Sequence, residues 1–117
     1  MRISIVVILL AAAAALGAQA GAPPATPKGD AANGQKIFAD YGCYQCHGYA
    51  AQGGAAGPRL APRPIAFAAF TTYVRKPTAD MPPYTAKVVS DQDLADIYAF
   101  LMSIPQPPPI DSIPLLK

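Results

Sequence analysis

The sequence predicts an all-α domain. Segments at residues 30–41, 65–75 and 90–103 place their apolar residues at helical spacing, and the first and last of them begin with residues that typically cap a helix. No segment alternates apolar and polar residues for long enough to predict a strand, and no internal repeat is visible. Long connections rich in glycine and proline separate the three segments. We therefore expect three main helices and long loops that need an additional group to pack around.

The first 20 residues are predicted to be a cleaved secretory signal peptide. Residues 1–2 form a short basic start, residues 3–16 are apolar with one exception, and Ala18 and Ala20 place small residues at the two positions that a signal peptidase reads. An uncleaved membrane anchor is the alternative, but the apolar stretch is shorter than the roughly 20 residues that a bilayer core requires. We expect export, cleavage after Ala20 and no stable membrane span in the mature chain.

The mature chain would carry little net charge. Removal of residues 1–20 leaves 97 residues, with eight Lys and Arg against seven Asp and a balance of +1. Nucleic-acid binding is not expected, because phosphate recognition requires a basic patch or stripe. The mature chain is also poor in large apolar residues for its length, and a small domain of this kind favours a covalent staple or a cofactor.

A linker and the first helix open the mature chain. Residues 21–29 are rich in Pro and Ala and predict an extended lead-in. Asp30 is a good N-cap for a helix that runs to about Tyr41, with Gly34 and Phe38 on its apolar face. Gly34 lowers helix stability, which is tolerable if another backbone must approach closely at that point.

Two further helices are predicted nearer the C-terminus. Residues 65–75 place aromatic side chains on one side and end before Pro77, since the residue preceding a proline disfavours helix. Ser90 and Asp93 match a capping box, with Asp in place of the usual Glu, and open a third helix at residues 91–103. Its Leu and Ile residues recur at helical spacing and form an apolar stripe.

The folded domain is expected to cover residues 30–104. The remaining residues, 105–117, have the composition of a polyproline II segment. Scattered apolar residues in this tail are expected to pack against the domain: they are Ile110, Ile113, Leu115 and Leu116. Docking of the tail on a partner protein is the alternative.

The only two cysteines and the only histidine of the chain, Cys43, Cys46 and His47, fall within five positions. A CxxC pair is compatible with thiol–disulfide exchange, but that chemistry is typical of a βαβ setting, and no strands are predicted here. A disulfide between these cysteines would close too small a loop to stabilise much. A structural zinc site requires four ligands, usually in two separated pairs, and the chain has no second cluster.

The pattern C-x-x-C-H is also the signature of c-type haem attachment. Residues at i, i+3 and i+4 lie on one side of a helical turn, so Cys43, Cys46 and His47 are expected to face the same way. The two thiolates can then add to the vinyl groups of one porphyrin while the imidazole reaches its iron. We predict one haem c, linked through Cys43 and Cys46, with iron bound by His47. Thiol exchange and zinc binding stay open as alternatives.

These residues resemble the small monohaem class I cytochromes c of bacteria, over about residues 30–104. Besides CYQCH at residues 43–47, the GPRL segment at residues 57–60 is similar to the Gly-Pro-x-Leu segment of that family. The MPPY segment at residues 81–84 is similar to the stretch around its axial methionine. The resemblance implies the class I cytochrome c fold, in which three main helices and long loops surround one covalently attached haem.

The resemblance also implies roles for single residues. The carbonyl of Pro58 would accept a hydrogen bond from Nδ1 of His47 and so fix its tautomer, while Leu60 would pack on the haem ring. Met81 would be the second axial ligand of the iron, in a loop that prolines stiffen.

A close crossing of the first and last helices is a further implication of the resemblance. Gly34 and Phe38 of the first helix would then face Ile97 and Phe100 of the last. Tyr98 also lies near this face in sequence, so two aromatic residues are candidates to fill the crossing.

A His/Met axial pair would leave no open iron position for oxygen or peroxide, so we expect one-electron transfer and not an enzyme. By resemblance, the protein would be a monomeric periplasmic carrier between a dehydrogenase or a bc1-type complex and a terminal acceptor such as an oxidase. One alternative is a dedicated cytochrome subunit of a periplasmic dehydrogenase, docked through the tail. The other is a ligand-binding or peroxidatic haem protein, in which Met81 would dissociate.

Overall fold

Helices and loops make up residues 26–116, the part of the chain that the computed structural model describes. No strand occurs within these residues, so the predicted all-α class is confirmed. The α-helices are α1 (Ala31–Asp40), α2 (Cys43–His47), α3 (Phe67–Arg75) and α4 (Asp91–Ser103), and two 3-10 turns follow at Ile110–Ser112 and Pro114–Leu116. The predicted signal peptide and most of the linker lie outside the described residues.

Helices α1 and α4 begin as the sequence predicts. The Asp30 carboxylate accepts a hydrogen bond from the backbone N–H of Asn33 at 3.0 Å, which satisfies a free donor in the first turn of α1. At α4, Ser90 Oγ accepts from the N–H of Asp93 at 3.1 Å, and Asp93 Oδ2 accepts from the N–H of Ser90 at 2.8 Å. These two bonds form the predicted capping box, and α4 has the predicted bounds.

Helix α3 begins at Phe67, two residues later than predicted. Ala66 occupies the N-cap position and offers no side-chain oxygen to a free N–H group. Ile65 is 57% exposed and β-branched, so neither packing nor propensity favours adding it to the helix. The end of α3 at Arg75, just before Pro77, is as predicted.

The first and last helices cross closely at Gly34. A Cβ atom at this position would clash with the carbonyl oxygen of Asp96 and would lie 2.7 Å from the amide nitrogen of Ile97. Only glycine allows this approach. The Phe38 and Phe100 rings meet in the crossing, with centroids 5.5 Å apart and planes tilted by 56°. Phe100 is therefore the aromatic residue that fills it.

Tyr98 joins α4 to α3 instead. Its ring packs edge-on against Phe67 at 5.2 Å and tilted against Phe70 at 5.6 Å, both measured between ring centroids. Phe70 and Val74 are the buried residues of α3. The aromatic contacts therefore place the buried face of α3 on the core that α1 and α4 share.

Asp96 is buried in the middle of α4, with only 4% of its surface exposed. Its carboxylate accepts hydrogen bonds from the N–H of Asp30 at 2.8 Å, from Nδ2 of Asn33 at 2.7 Å and from Nε2 of Gln92 at 2.9 Å. The bond from the Asp30 N–H, followed by that from Asn33, holds the pKa of Asp96 below its usual range. This carboxylate fastens the start of α1 to α4.

The tail does not pack as expected. Ile110, Leu115 and Leu116 are 73%, 94% and 63% exposed, while Ile113 is partly buried. Within the segment for which the sequence predicts polyproline II, residues 110–112 and 114–116 form 3-10 turns instead. Ser112 explains the first turn, because its N–H and its hydroxyl both donate to the carbonyl of Pro109, at 2.9 and 2.6 Å. Among the described residues, no helix is long and apolar enough to cross a bilayer.

Candidate functional site

The C-x-x-C-H segment forms its own short helix, α2, directly after α1. His47 is buried, Cys43 is partly buried and Cys46 is exposed. The histidine and one of the cysteines therefore face inward, while the second cysteine lies at the rim. Both thiols are free in the structure.

The His47 ring is oriented by a backbone carbonyl. Its Nδ1 lies 2.8 Å from the carbonyl oxygen of Pro58. A carbonyl oxygen can only accept, so Nδ1 carries the proton and donates. In a neutral imidazole the lone pair is then on Nε2, which is the nitrogen available to a metal ion.

The loop after α2 folds back and holds Pro58 beside this ring. The N–H of Gly53 donates to the carbonyl of His47 at 2.8 Å, and the N–H of Leu60 donates to the carbonyl of Ala51 at 2.9 Å. At Gly57 an added Cβ would lie 2.9 Å from the carbonyl oxygen of Cys46, so the loop passes too close to α2 for a side chain there. The glycine thus lets residues 57–60 reach His47.

An apolar cavity lies next to His47. Eight of its eleven lining residues are apolar, and the lining brings together residues from α1, α2, α3, α4 and the loops. They are Phe38, Cys43, His47, Leu60, Phe70, Val74, Met81, Tyr84, Val89, Leu94 and Ile97. A cavity with such walls favours a largely apolar group.

Four of the six predicted site residues line this cavity: Cys43, His47, Leu60 and Met81. Pro58 does not line the cavity, but its carbonyl oxygen accepts the hydrogen bond from Nδ1 of His47. Cys46 is exposed and does not line the cavity. Cys43 is therefore the cysteine at the cavity wall, and Cys46 is the more exposed of the two.

Burial affects the chemistry of Cys43. It raises the pKa of this thiol, because the thiolate is poorly solvated beside the apolar walls. A neutral sulfur is thus favoured at this position, and a thioether is neutral whatever the pH.

Tyr84 and Arg75 have contacts at the site that the sequence analysis did not anticipate. Tyr84 lines the cavity, and its hydroxyl donates to the carbonyl of Tyr41 at 3.0 Å. Partial burial raises the pKa of Tyr84, which keeps the phenol protonated as a donor. The position of Tyr84 right after Met-Pro-Pro was the available signal. Arg75 bonds to carbonyls that are 9 and 14 residues away, a distance at which sequence patterns give no signal.

These features fit a c-type haem. The site supplies two free thiols, an imidazole whose Nε2 is available and a cavity with apolar walls. Within residues 26–116, no group of three or more His, Cys, Asp or Glu side chains is placed to hold a metal ion. Two cysteines and one histidine fall short of the four ligands of a structural zinc site, whereas they are the complete attachment set for a haem c.

Comparison with known proteins gives a match to a family model. The family model described as cytochrome c oxidase, cbb3-type, subunit III, matches residues 29–101, well over half of the chain. No curated protein and no solved structure matches. The matched range contains Cys43, Cys46 and His47, so the cofactor is a covalently bound haem c with its iron, and electron transfer is the general function. This chain belongs to the c-type cytochrome family described as cytochrome c oxidase, cbb3-type, subunit III.

Proposed function

We propose that this protein is a periplasmic one-electron carrier whose haem c has His47 and Met81 as axial ligands. The observation that carries the proposal is that both side chains line one apolar cavity, while the Nδ1 of His47 is engaged by Pro58. When bound, the haem supplies a one-electron Fe(III)/Fe(II) couple. A histidine with Nδ1 held in this way offers its lone pair on Nε2 in a fixed orientation.

The remaining site residues have matching roles in the proposal. Cys43 and Cys46 form the thioether links, and Leu60 packs on the ring from the cavity wall. A methionine ligand and an apolar surrounding both raise the reduction potential, because they disfavour the additional charge of the ferric form. The potential would suit a carrier that delivers electrons to an oxidase. An oxidase subunit is also what the family description names.

The organisation of the chain follows from the same proposal. Residues 1–20 are removed on export, residues 21–29 form a linker, residues 30–104 form the haem domain and residues 105–117 form the tail. Haem c attachment and export go together in bacteria, which supports a periplasmic location. The mass of the exported protein measures both cleavage after Ala20 and the single haem addition.

A second candidate function is a dedicated cytochrome subunit of a periplasmic dehydrogenase. The exposure of Ile110, Leu115 and Leu116 favours it, because three large apolar side chains on a short tail are available to a partner surface. In that case the electron donor would be fixed by docking of the tail and not by diffusion. Removal of the tail separates the two candidates, as described in the Discussion.

The absorption spectrum of the exported protein, oxidised and reduced, tests the carrier proposal. It should report a covalent haem c and, in the oxidised form, the long-wavelength band of a methionine-to-iron bond. Met81→Ala should abolish this band and lower the reduction potential, whereas Met102→Ala should leave both unchanged, since Met102 is 58% exposed on α4. A band that survives in Met81→Ala would exclude Met81 as the ligand.

A further inference from the structure

Arg75, the last residue of α3, fastens the loop that carries Met81. Its Nη1 donates to the carbonyl of Tyr84 at 2.9 Å and to the carbonyl of Val89 at 2.7 Å. Its Nη2 lies 2.7 Å from Oδ1 of Asp91. One guanidinium group at the end of α3 thus binds two carbonyl oxygens of the following loop and one carboxylate at the start of α4.

Met81 lies inside the segment that these bonds close. The chain leaves α3 after Arg75 and enters α4 at Asp91, so the connection comprises residues 76–90. A free loop of this length would have many conformations available. The hydrogen bonds from Arg75 to residues 84 and 89 divide this loop into shorter segments. Met81 then lies in the segment between Arg75 and Tyr84.

Tyr84 is the anchor of this short span. Its carbonyl is bound by Arg75, its N–H donates to the carbonyl of Val74 at 3.1 Å, and its hydroxyl donates to the carbonyl of Tyr41 at 3.0 Å. All three polar groups of a residue three positions after Met81 are therefore fixed to α3 or to the end of α1. The position of the Met81 sulfur depends on this anchor.

The two hydrogen bonds to carbonyl oxygens restrain the loop more strongly than the ion pair does. The Arg75 side chain is 22% exposed, and a charged donor on a carbonyl makes a stronger hydrogen bond than a neutral one. The Asp91 side chain is 89% exposed, so the ion pair is screened by solvent and contributes little. Removing Asp91 should therefore leave the loop nearly as well held, whereas removing the guanidinium should not.

We propose that Arg75 is a positioning residue for the axial methionine: by holding the carbonyls of Tyr84 and Val89, it keeps Met81 on the iron. This inference rests on the proposed ligand role of Met81. Loss of the guanidinium lets residues 76–90 open while the helices remain folded. Opening would free the iron position proposed for Met81, and an added ligand would then compete with the methionine more successfully.

Imidazole binding to the oxidised holoprotein at 25 °C measures this opening. The variants to compare are Arg75→Gln, Arg75→Lys and Asp91→Asn, with Met81→Ala as the reference for a fully open site. Arg75→Gln should bind imidazole roughly 10-fold more tightly than the wild type, with unchanged helical circular dichroism, because it loses hydrogen bonds to a charged group. Arg75→Lys should give a smaller increase, since an ammonium group keeps the charge and has donors for both carbonyls, but it lacks the second nitrogen that contacts Asp91 and the reach of the longer side chain. Asp91→Asn should change the affinity by less than about twofold.

A thermal measurement gives a second readout. In Arg75→Gln, the methionine-to-iron band should disappear roughly 5–15 °C below the temperature at which the helices unfold. If the band and the helices are lost together in both Arg75 variants, and imidazole affinity stays at the wild-type value, Arg75 only stabilises the fold and the inference is overturned. If Met81→Ala keeps the band, the proposed ligand is wrong, which is a separate failure. Should Arg75→Gln not fold, the Arg75→Lys comparison alone decides.

Discussion

The carboxylate of Asp96, in α4, accepts a hydrogen bond from the backbone N–H of Asp30, the N-cap of α1, at 2.8 Å. It is buried and also binds Asn33 and Gln92. A single side chain of the last helix therefore completes the capping of the first. The stability of the domain should therefore depend on the negative charge of Asp96.

Replacement of this carboxylate tests that dependence. Asp96→Asn should lower the free energy of unfolding of the holoprotein at pH 7 by about 1.5–3 kcal/mol, since bonds to a charged group are lost. The folded-state pKa of Asp96 lies below its ordinary value of 3.8, so its contribution is present above that pH and is lost as pH falls further. Denaturant unfolding between pH 7 and pH 3 should therefore show the gap between wild type and variant closing below about pH 4. Asp111→Asn, at an exposed tail position, is the control; an equal loss in both would contradict the prediction.

Gly34→Ala should destabilise the domain by about 1–3 kcal/mol, because the added methyl group overlaps the Asp96 carbonyl and forces the two helices apart. Alanine favours helix over glycine, so propensity alone predicts the opposite sign. Thermal unfolding measures the difference, with Gln35→Ala at the exposed neighbouring position as control. A Gly34→Ala protein at least as stable as the wild type would argue against the close crossing.

Phe100→Ala should cost about 3–5 kcal/mol, since it removes the ring that packs on Phe38 and leaves a cavity in the crossing. Met102→Ala is the matched control, because Met102 is on the same helix and 58% exposed, and its effect should be small. Chemical denaturation of the holoproteins measures both. Equal effects would mean that the Phe38–Phe100 contact is not important for the core.

Exogenous ligands test whether the axial positions are closed. At neutral pH the oxidised wild-type protein should bind azide weakly, and the reduced protein should bind carbon monoxide weakly. Met81→Ala should bind both readily, because it lacks the competing sulfur. Absorption titrations measure the affinities. Ready binding to the wild type would instead favour a ligand-binding or peroxidatic haem protein.

Deletion of residues 110–117 should leave the thermal unfolding temperature unchanged, because Ile110, Leu115 and Leu116 are largely exposed and contribute little to the core. Electron transfer to small inorganic oxidants should also be unchanged. A slower transfer from one periplasmic dehydrogenase alone would support the dedicated-subunit function. A clear fall in the unfolding temperature would show that the tail packs after all.

Local patterns predicted the parts of this protein that depend on neighbouring residues. The capping box at Ser90 and Asp93 sets the start of α4, because all its atoms lie within four residues. The resemblance at residues 57–60 likewise predicted Pro58 next to His47, and the Pro58 carbonyl oxygen lies 2.8 Å from Nδ1 of His47. Their role at the iron stays a prediction.

Contacts between distant segments were not predictable in the same way. The choice between Tyr98 and Phe100 at the crossing depends on the rotation of α4 against α1 and α3 together, which helical periodicity leaves open. The carbonyls that Arg75 binds have no sequence signature at all, since every residue has one. The tail was wrongly expected to pack, because apolar composition does not say whether a surface is within reach.

The crossing of α1 and α4 also bears on the order in which the protein opens. Helices α1 and α4, at the two ends of the domain, pack on each other more extensively than any other pair of helices. Their contact therefore closes a loop that contains all the segments between them. Local openings can then occur in the middle without separating the ends. Amide hydrogen exchange should accordingly be slowest around Phe38 and Ile97 and faster in residues 76–90 than in the two crossing helices. Residues 76–90, which carry the proposed ligand Met81, can thus open and close again without passage through the unfolded state.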